Sequence, residues 1–170
     1  LMEKNVVLIG CGALGCTSAN LLVRSGIKYL KIIDRDYIEE SNLQRQSLFD
    51  EEDIKKNLPK AIAAQKKLQK ANSRIQIKSF VSDLNPSNIE ALLQDAHLVV
   101  DGTDNFETRF LINDYCVKNR IPWIYGACIG SMGLSMNIIP LKTPCFRCMI
   151  ENVPPFGTAG TCDTEGIIAP

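Results

Sequence analysis

A chain that carries Gly10-Cys11-Gly12-Ala13-Leu14-Gly15 straight after an apolar run has few folds open to it. The run is Val6-Val7-Leu8-Ile9, β-branched and unbroken, as in a parallel strand buried on both faces. From about Ala13 to Ser25 the apolar residues Leu14, Leu21 and Leu22 fall at helical spacing, and Gly26 supplies a stop. A glycine turn between strand and helix lets backbone approach a phosphate and aims helix N-terminal amides at it. The competing reading is a plain glycine-rich turn. The strand–turn–helix context favours a nucleotide. It does not say which one, and the motif alone points to NAD.

The pattern then repeats. Strands are expected at Tyr29 to Ile33, Ile75 to Phe80, Leu98 to Val100 and Pro122 to Tyr125. Helices are expected at Lys60 to Ala71, opened by Pro59, at Pro86 to Gln94, and at Asn105 to Asn119 as a long amphipathic element. Alternating strands and helices predict a doubly wound α/β domain with a mainly parallel sheet. After Gly126 the character changes. Leu134 to Ile139 reads as one more strand, antiparallel to the rest, and residues 142–170 read as long loops rich in Pro, Gly and Cys.

Composition narrows the classes. Of 170 residues 45% are apolar and 22% charged, enough to build a core rather than a disordered chain. Nineteen basic residues balance nineteen acidic ones, so no basic excess points to nucleic acid or to a membrane surface. No apolar run approaches the roughly 20 residues of a membrane span. Seven cysteines, an odd number set among apolar contexts, read as thiols of a reducing, cytoplasmic setting rather than a disulfide framework. The abrupt start at Leu1 and stop at Pro170 predict a piece of a longer chain.

Asp34 ends the second strand, where a carboxylate can accept hydrogen bonds from ribose. The segment that follows separates ATP from NAD. A triphosphate carries more charge than a pyrophosphate and needs cations near its outer phosphates. Asp36, Ser41, Asn42, Arg45 and Gln46 come just after the ribose acid, and Lys60 opens the next helix. Asp101 and Asp104 mark the end of the fourth strand, with Asn105 beside them. A carboxylate beside a triphosphate is a natural magnesium ligand. Singly, Arg45 and Lys60 read as solvated charges, and Asp101 or Asp104 as a helix cap. Their joint order favours ATP.

Ser41-Asn42-Leu43-Gln44-Arg45-Gln46, Pro59-Lys60, Asp101-Gly102-Thr103-Asp104-Asn105, Pro144-Cys145-Phe146-Arg147-Cys148 and Thr161-Cys162 together resemble the ThiF/MoeB/HesA family, related to the ubiquitin-activating enzymes. The resemblance runs in order along nearly the whole chain. It implies a Rossmann-like domain, with residues 1–126 as the nucleotide-binding half and 127–170 as the start of a carrier-binding, zinc and crossover region. It implies that Gly10, Gly12, Ala13, Leu14 and Gly15 cradle phosphate and that Asp34 holds the ribose. Ala13 stands where the family often has Gly, and its small side chain preserves the backbone contact. Asn42, Arg45 and Lys60 would hold the phosphates, and Asp104 would hold Mg2+ or position the reacting groups. The implied reaction is adenylation of the C-terminal glycine of a ubiquitin-like sulfur carrier ending in Gly-Gly. The product feeds thiamine or molybdopterin synthesis, with sulfur from a cysteine desulfurase or a rhodanese-like protein. The implied assembly is a homodimer whose partner lends an N-terminal arginine.

Two cysteine features carry chemistry of their own. Cys145 and Cys148 form a C-x-x-C, enough for half of a tetrahedral Zn2+ site. The resemblance implies that the other two ligands lie beyond Pro170. A redox pair is the alternative, disfavoured because the motif does not open a helix after a thioredoxin-like strand. Cys162, in a Gly/Thr-rich stretch, reads equally as an acyl- or sulfur-transfer thiol or as an inert loop residue. Cys11, Cys16, Cys116 and Cys128 read as structural, Trp123 as core, and His97 as a residue without a partner. The rival functions are an NAD-dependent dehydrogenase, a relative adenylating a peptide or a tRNA threonylcarbamoyl group, and a non-catalytic binding module. The C-x-x-C favours the sulfur-carrier branch over the tRNA branch.

Overall fold

The computed structural model describes residues 1–150 of the chain. Strand β1 spans Asn5–Ile9, helix α1 Ala13–Arg24 and strand β2 Tyr29–Ile33. Helices α2 (Glu51–Lys55) and α3 (Lys60–Ala71) precede β3 (Gln76–Phe80). Then come α4 (Ile89–Leu93), β4 (Leu98–Asp101), α5 (Phe106–Lys118), β5 (Trp123–Ile129), β6 (Met132–Ile138) and α6 (Phe146–Met149).

The six strands form one sheet in the order β3-β2-β1-β4-β5-β6. The first five are parallel and β6 runs antiparallel to β5, as the sequence predicts. Alternation along β1 splits its side chains between two cores. Val6 and Leu8 face α1 and α3, packing with Ala19, Val23, Ala64 and Leu68. Val7 and Ile9 face α4, α5 and α6, packing with Leu93, Phe110, Trp123 and Phe146. Both faces are covered, which is why β1 reads as an unbroken apolar run. Trp123 is core, 1% exposed.

The chain leaves β1 toward β2 and β3, then returns to β1's other side at β4. Two successive loops diverge there, which opens a crevice beyond the strands' carboxyl ends. The hairpin between β5 and β6 turns on Gly130 and Ser131, and Gly130 takes φ +58, as tight two-residue turns require.

Several expectations need correction. The helix expected from Pro86 begins only at Ile89, because Asn85 and Asn88 hold the preceding turn. The Asn85 side chain accepts the Ser87 N–H and the Asn88 side chain accepts the Asn85 N–H, both at 2.9 Å. Helix α2 is an element beyond those expected, capped by Asp50, whose side chain accepts the N–H groups of Glu52 and Asp53. Helix α5 is not amphipathic in the ordinary sense, since Arg109 and Asn113 are buried beside Phe110 and Cys116. Within the stretch read as loop, 146–149 forms a one-turn helix capped by Cys145, so the C-x-x-C does open a helix. It does so after the β6 hairpin rather than after a parallel strand. His97 has a partner: its Nδ1 accepts the Asn5 N–H at 3.1 Å.

Candidate active site

A cleft of about 840 Å³ occupies the crevice at the β1/β4 switch point. Its floor is the glycine loop. The three glycines there do different work. Gly10 takes φ +84, and a Cβ on it would lie 2.6 Å from the Gly102 carbonyl oxygen. A Cβ on Gly15 would lie 2.1 Å from the Gly10 oxygen. These two let the loop fold on itself and against residue 102. Gly12 is different, because a Cβ there would meet only the Gln46 Nε2, at 4.0 Å. Gly12 is therefore bare toward the cleft. It caps α1, whose first amides have no partner within the helix.

Asp34 rises from the end of β2 and is 9% exposed. Its Oδ2 accepts the Cys11 N–H at 2.6 Å and its Oδ1 accepts the Asp36 N–H at 2.7 Å. Burial pushes its pKa up, against those two amides and the Lys60 ammonium. Each carboxylate oxygen keeps lone-pair capacity for a sugar hydroxyl. Lys60, nearly buried, pairs with Asp36 at 3.1 Å, and its backbone N–H donates to the Asp36 carbonyl at 2.9 Å. One turn of 3-10 helix at Glu40–Asn42 presents the next group. Asn42 accepts the Glu39 N–H at 3.3 Å, and the buried Arg45 donates to the Ser41 carbonyl at 2.7 Å. Gln46 is 3% exposed, and its Oε1 has no hydrogen-bond partner in the described structure. An orphaned buried amide oxygen on a cleft wall suits a ligand.

The opposite wall comes from β4 and α5. Asp101 is buried and bound to its own chain, accepting the Thr103 N–H at 2.8 Å and the Thr103 hydroxyl at 2.6 Å through Oδ1. Its Oδ2 lies 3.4 Å from Arg109 Nε. Burial raises its pKa to about 6 despite Arg109 and Thr103. Asp101 is thus structural, whereas Asp104 is exposed on the cleft. Asn105 lines the cleft too but spends its side-chain oxygen capping α5 through the Thr108 N–H, at 2.9 Å.

The structure brings Gly10, Gly12, Ala13, Leu14, Asp34, Asp36, Asn42, Arg45, Gln46, Lys60, Asp104 and Asn105 to one cleft. Gly15 and Ser41 do not line it: Gly15 is consumed by loop packing, and Ser41 contributes a carbonyl to Arg45. Cys128, read as structural, stands on the cleft wall beside Ala127, Ile129, Met132 and Leu134 of the hairpin. Cys162 lies outside the described residues. Sequence reasoning missed Arg109, because a lone cation inside a helical pattern reads as a solvated face.

The C-x-x-C is built onto α5. The Asn113 side chain accepts the Phe146 N–H at 2.9 Å, and Arg147 grips Asp114 through two hydrogen bonds of 2.7 and 2.6 Å. Phe146 is fully buried against Tyr125, with ring centroids 5.0 Å apart. The two Sγ atoms lie 3.6 Å apart. A tetrahedral zinc with bonds of about 2.3 Å needs its sulfurs roughly 3.8 Å apart, so the pair fits one edge of such a site. N–H groups of Cys148 and Arg147 and the Asn113 amide pull the Cys145 pKa down against burial, which favours a thiolate ligand. No group of three or more metal-ligating side chains occurs among the described residues. No described helix is long and apolar enough to cross a membrane.

The chain is 50% identical over 170 residues to the "Sulfur carrier protein ThiS adenylyltransferase" of Bacillus subtilis, covering 100% of this chain and 50% of that protein. It is 34% identical over 173 residues to the "Sulfur carrier protein adenylyltransferase" of Thermus thermophilus, covering 98% of this chain and 63% of that protein. Among solved structures it matches Escherichia coli MccB with ATP at TM-score 0.80 and 32% identity, over 87% of this chain and 45% of that one. The microcin C7 biosynthetic enzyme MccB with N-formylated MccA matches at TM-score 0.82 and 29% identity, over 97% and 48%. The chain thus spans about half the length of the first of these relatives. The ThiF family profile matches residues 1–170, and the chain belongs to the ThiF family.

Proposed function

We propose that the protein containing this chain adenylates the C-terminal glycine of a ThiS-like sulfur carrier with ATP. One observation carries the reading. The glycine loop and Asp34 share a single cleft with the buried cations Arg45 and Lys60, and that cleft continues along the apolar hairpin wall at Ile129, Met132 and Leu134. The first part suits a nucleotide, the second a triphosphate, and the third an extended acyl donor. The name of the Bacillus relative supports the ThiS branch.

In the proposed step the carrier carboxylate oxygen attacks the α-phosphorus, and the bond to the bridging oxygen of the pyrophosphate breaks. Acyl-adenylate and pyrophosphate result. Asp34 orients the ribose and at the same time fixes the glycine loop. The amides at the start of α1 face the phosphates across bare Gly12. Arg45, Lys60 and the Asn42 amide take up charge on the outer phosphates as it moves to the leaving group. Asp104, exposed on the cleft, would hold Mg2+, which would supply neutralisation of phosphate charge. Little covalent work falls to the protein, so positioning carries the rate.

The finer parts of the reading go with it. Zinc at Cys145 and Cys148 completes its shell from outside this chain segment. A homodimer, a persulfide-type sulfur donor and a reducing cytoplasmic setting suit the chemistry. Adenylation of a peptide carboxylate is the second reading, favoured by the fold match to MccB with MccA.

The test is ATP–pyrophosphate exchange by the full-length enzyme, with Mg2+ and a carrier ending in Gly-Gly. Exchange that needs the carrier and is lost in Arg45→Ala supports the reading. Exchange driven only by a short peptide moves it to the second reading, and no exchange with either acyl donor sinks both.

A further inference from the structure

Arg109 has no place in the site as drawn from the sequence, yet it is among the most heavily engaged side chains of the cleft wall. It reaches from α5 to the backbone on two sides. Its Nη2 donates to the Thr103 carbonyl at 2.6 Å and to the Gly126 carbonyl at 3.3 Å. Its Nε faces Asp101 Oδ2 at 3.4 Å, with both side chains buried. The guanidinium lies over the Tyr125 ring at 5.1 Å and the Phe106 ring at 5.7 Å. The other carboxylate oxygen of Asp101 shapes the turn through Thr103.

The segment between is clamped from the far side as well. The Gly102 N–H donates to the Ile9 carbonyl at 2.8 Å, and a Cβ on Gly102 would lie 2.8 Å from the Gly10 oxygen. Gly102 and Thr103 are therefore fixed between the glycine loop and Arg109. Asp104 is the first residue beyond that clamp, and it opens on the cleft. A buried Arg–Asp pair is often no more stabilising than an apolar pair of the same volume. What the pair gives this fold is a fixed backbone direction at residue 103.

We infer that Arg109 is a positioning residue of the adenylating site, holding the Gly102–Asn105 backbone so that Asp104 meets the bound nucleotide. The inference rests on the function proposed above. Lysine at this position keeps a charge but not the planar fork that serves Asp101 and two carbonyls at once. Because a misplacement of about 1 Å in an adenylating site costs on the order of 100-fold in rate, Arg109→Lys loses roughly 10- to 100-fold in kcat. The KM for ATP moves by less than about threefold, since the nucleotide is held mainly from the other wall.

The experiment is a double-mutant cycle on the full-length enzyme with Arg109→Lys and Asp104→Ala, read by ATP–pyrophosphate exchange. If Arg109 acts through Asp104, Arg109→Lys changes kcat by less than about threefold once Asp104 is already Ala. A loss that multiplies in the double variant overturns the inference, as does a fall in kcat that only follows the folded fraction seen by near-UV circular dichroism. If Arg109→Lys does not fold, Asp101→Asn enters the cycle in its place with the same expected coupling. A wild-type enzyme that exchanges nothing sinks the adenylation reading alone. The cycle is then run on the free Mg2+ concentration needed to half-saturate the ATP-bound protein, the quantity that depends on Asp104, where coupling upholds the role of Arg109 and additivity overturns it. Wild type that binds no Mg·ATP overturns both.

Discussion

Asp34 and Cys11 are 23 positions apart in sequence, yet the Asp34 carboxylate accepts the Cys11 N–H at 2.6 Å. The acid at the end of β2 is thereby part of the glycine loop, which connects a sugar-binding group to a phosphate-binding one. A nucleotide that engages both meets a preformed corner rather than two loops that must find each other.

Asp34→Asn tests that coupling. An amide places a donor where two backbone N–H groups point, so at least one of these buried amides loses its acceptor. The expected cost is about 1–3 kcal/mol of stability, since charge-assisted hydrogen bonds are lost. Nucleotide affinity drops roughly tenfold or more, in line with the removal of a charged acceptor for ribose. Thermal unfolding and ATP titration read the two effects, and a variant with normal stability and affinity would contradict the corner.

The glycines predict opposite outcomes two residues apart. Gly10→Ala forces a Cβ against the Gly102 carbonyl at φ +84, so it destabilises the fold by about 2 kcal/mol or more. Gly12→Ala finds open space, so the melting temperature stays within a few degrees while ATP binding weakens. Equal melting temperatures for the two variants would refute the assignment.

Asn113 ties the C-x-x-C to α5. Asn113→Ala leaves the buried Phe146 N–H unpaired and costs about 1–3 kcal/mol. The variant should also bind Zn2+ or Cd2+ more weakly, because the Cys145 thiolate loses one donor and its helix loses an anchor. Metal competition with a chromogenic chelator measures this, and unchanged affinity would show that Asn113 plays no part in the site.

Asp101 gives a pH signature. Its folded pKa is about 6, raised by burial above the ordinary carboxylate range. Between about pH 4 and 6 the native state therefore holds a proton that the unfolded chain has lost. The stability from this group is fully present below about pH 4 and is lost as pH rises through about 6, a change of about 3 kcal/mol at most. Asp101→Asn removes that dependence. Denaturant unfolding of both proteins across this range should show their stability difference changing with pH, and a constant difference would refute the assignment.

Much of this molecule was legible in one dimension. The buried strands, the glycine turn and Pro59 opening a helix are local signals, set by side-chain period and backbone freedom, whereas β5 runs on past the expected end at Tyr125, through Gly126 to Ile129. Asp34, Arg45 and Lys60 were readable as candidates because they follow strand ends in a fixed order, and strand ends are where an α/β sheet binds ligands. Other features had no local signal. That Asp101 is locked to Arg109 while Asp104 opens on the cleft depends on α5 packing against β4 and β5. That Gly15 serves packing while Gly12 is bare depends on how closely the loop approaches residue 102. Cys128 reaches the cleft, and Asn113 builds the cysteine turn, only because distant segments pack side by side. Which chemistry-bearing residues are present, and on which elements they sit, follows from local sequence, because side-chain period and backbone freedom set those elements. Tertiary structure decided which of them face a ligand and which are consumed holding the others in place, because burial and hydrogen-bond partners arise only when those elements meet.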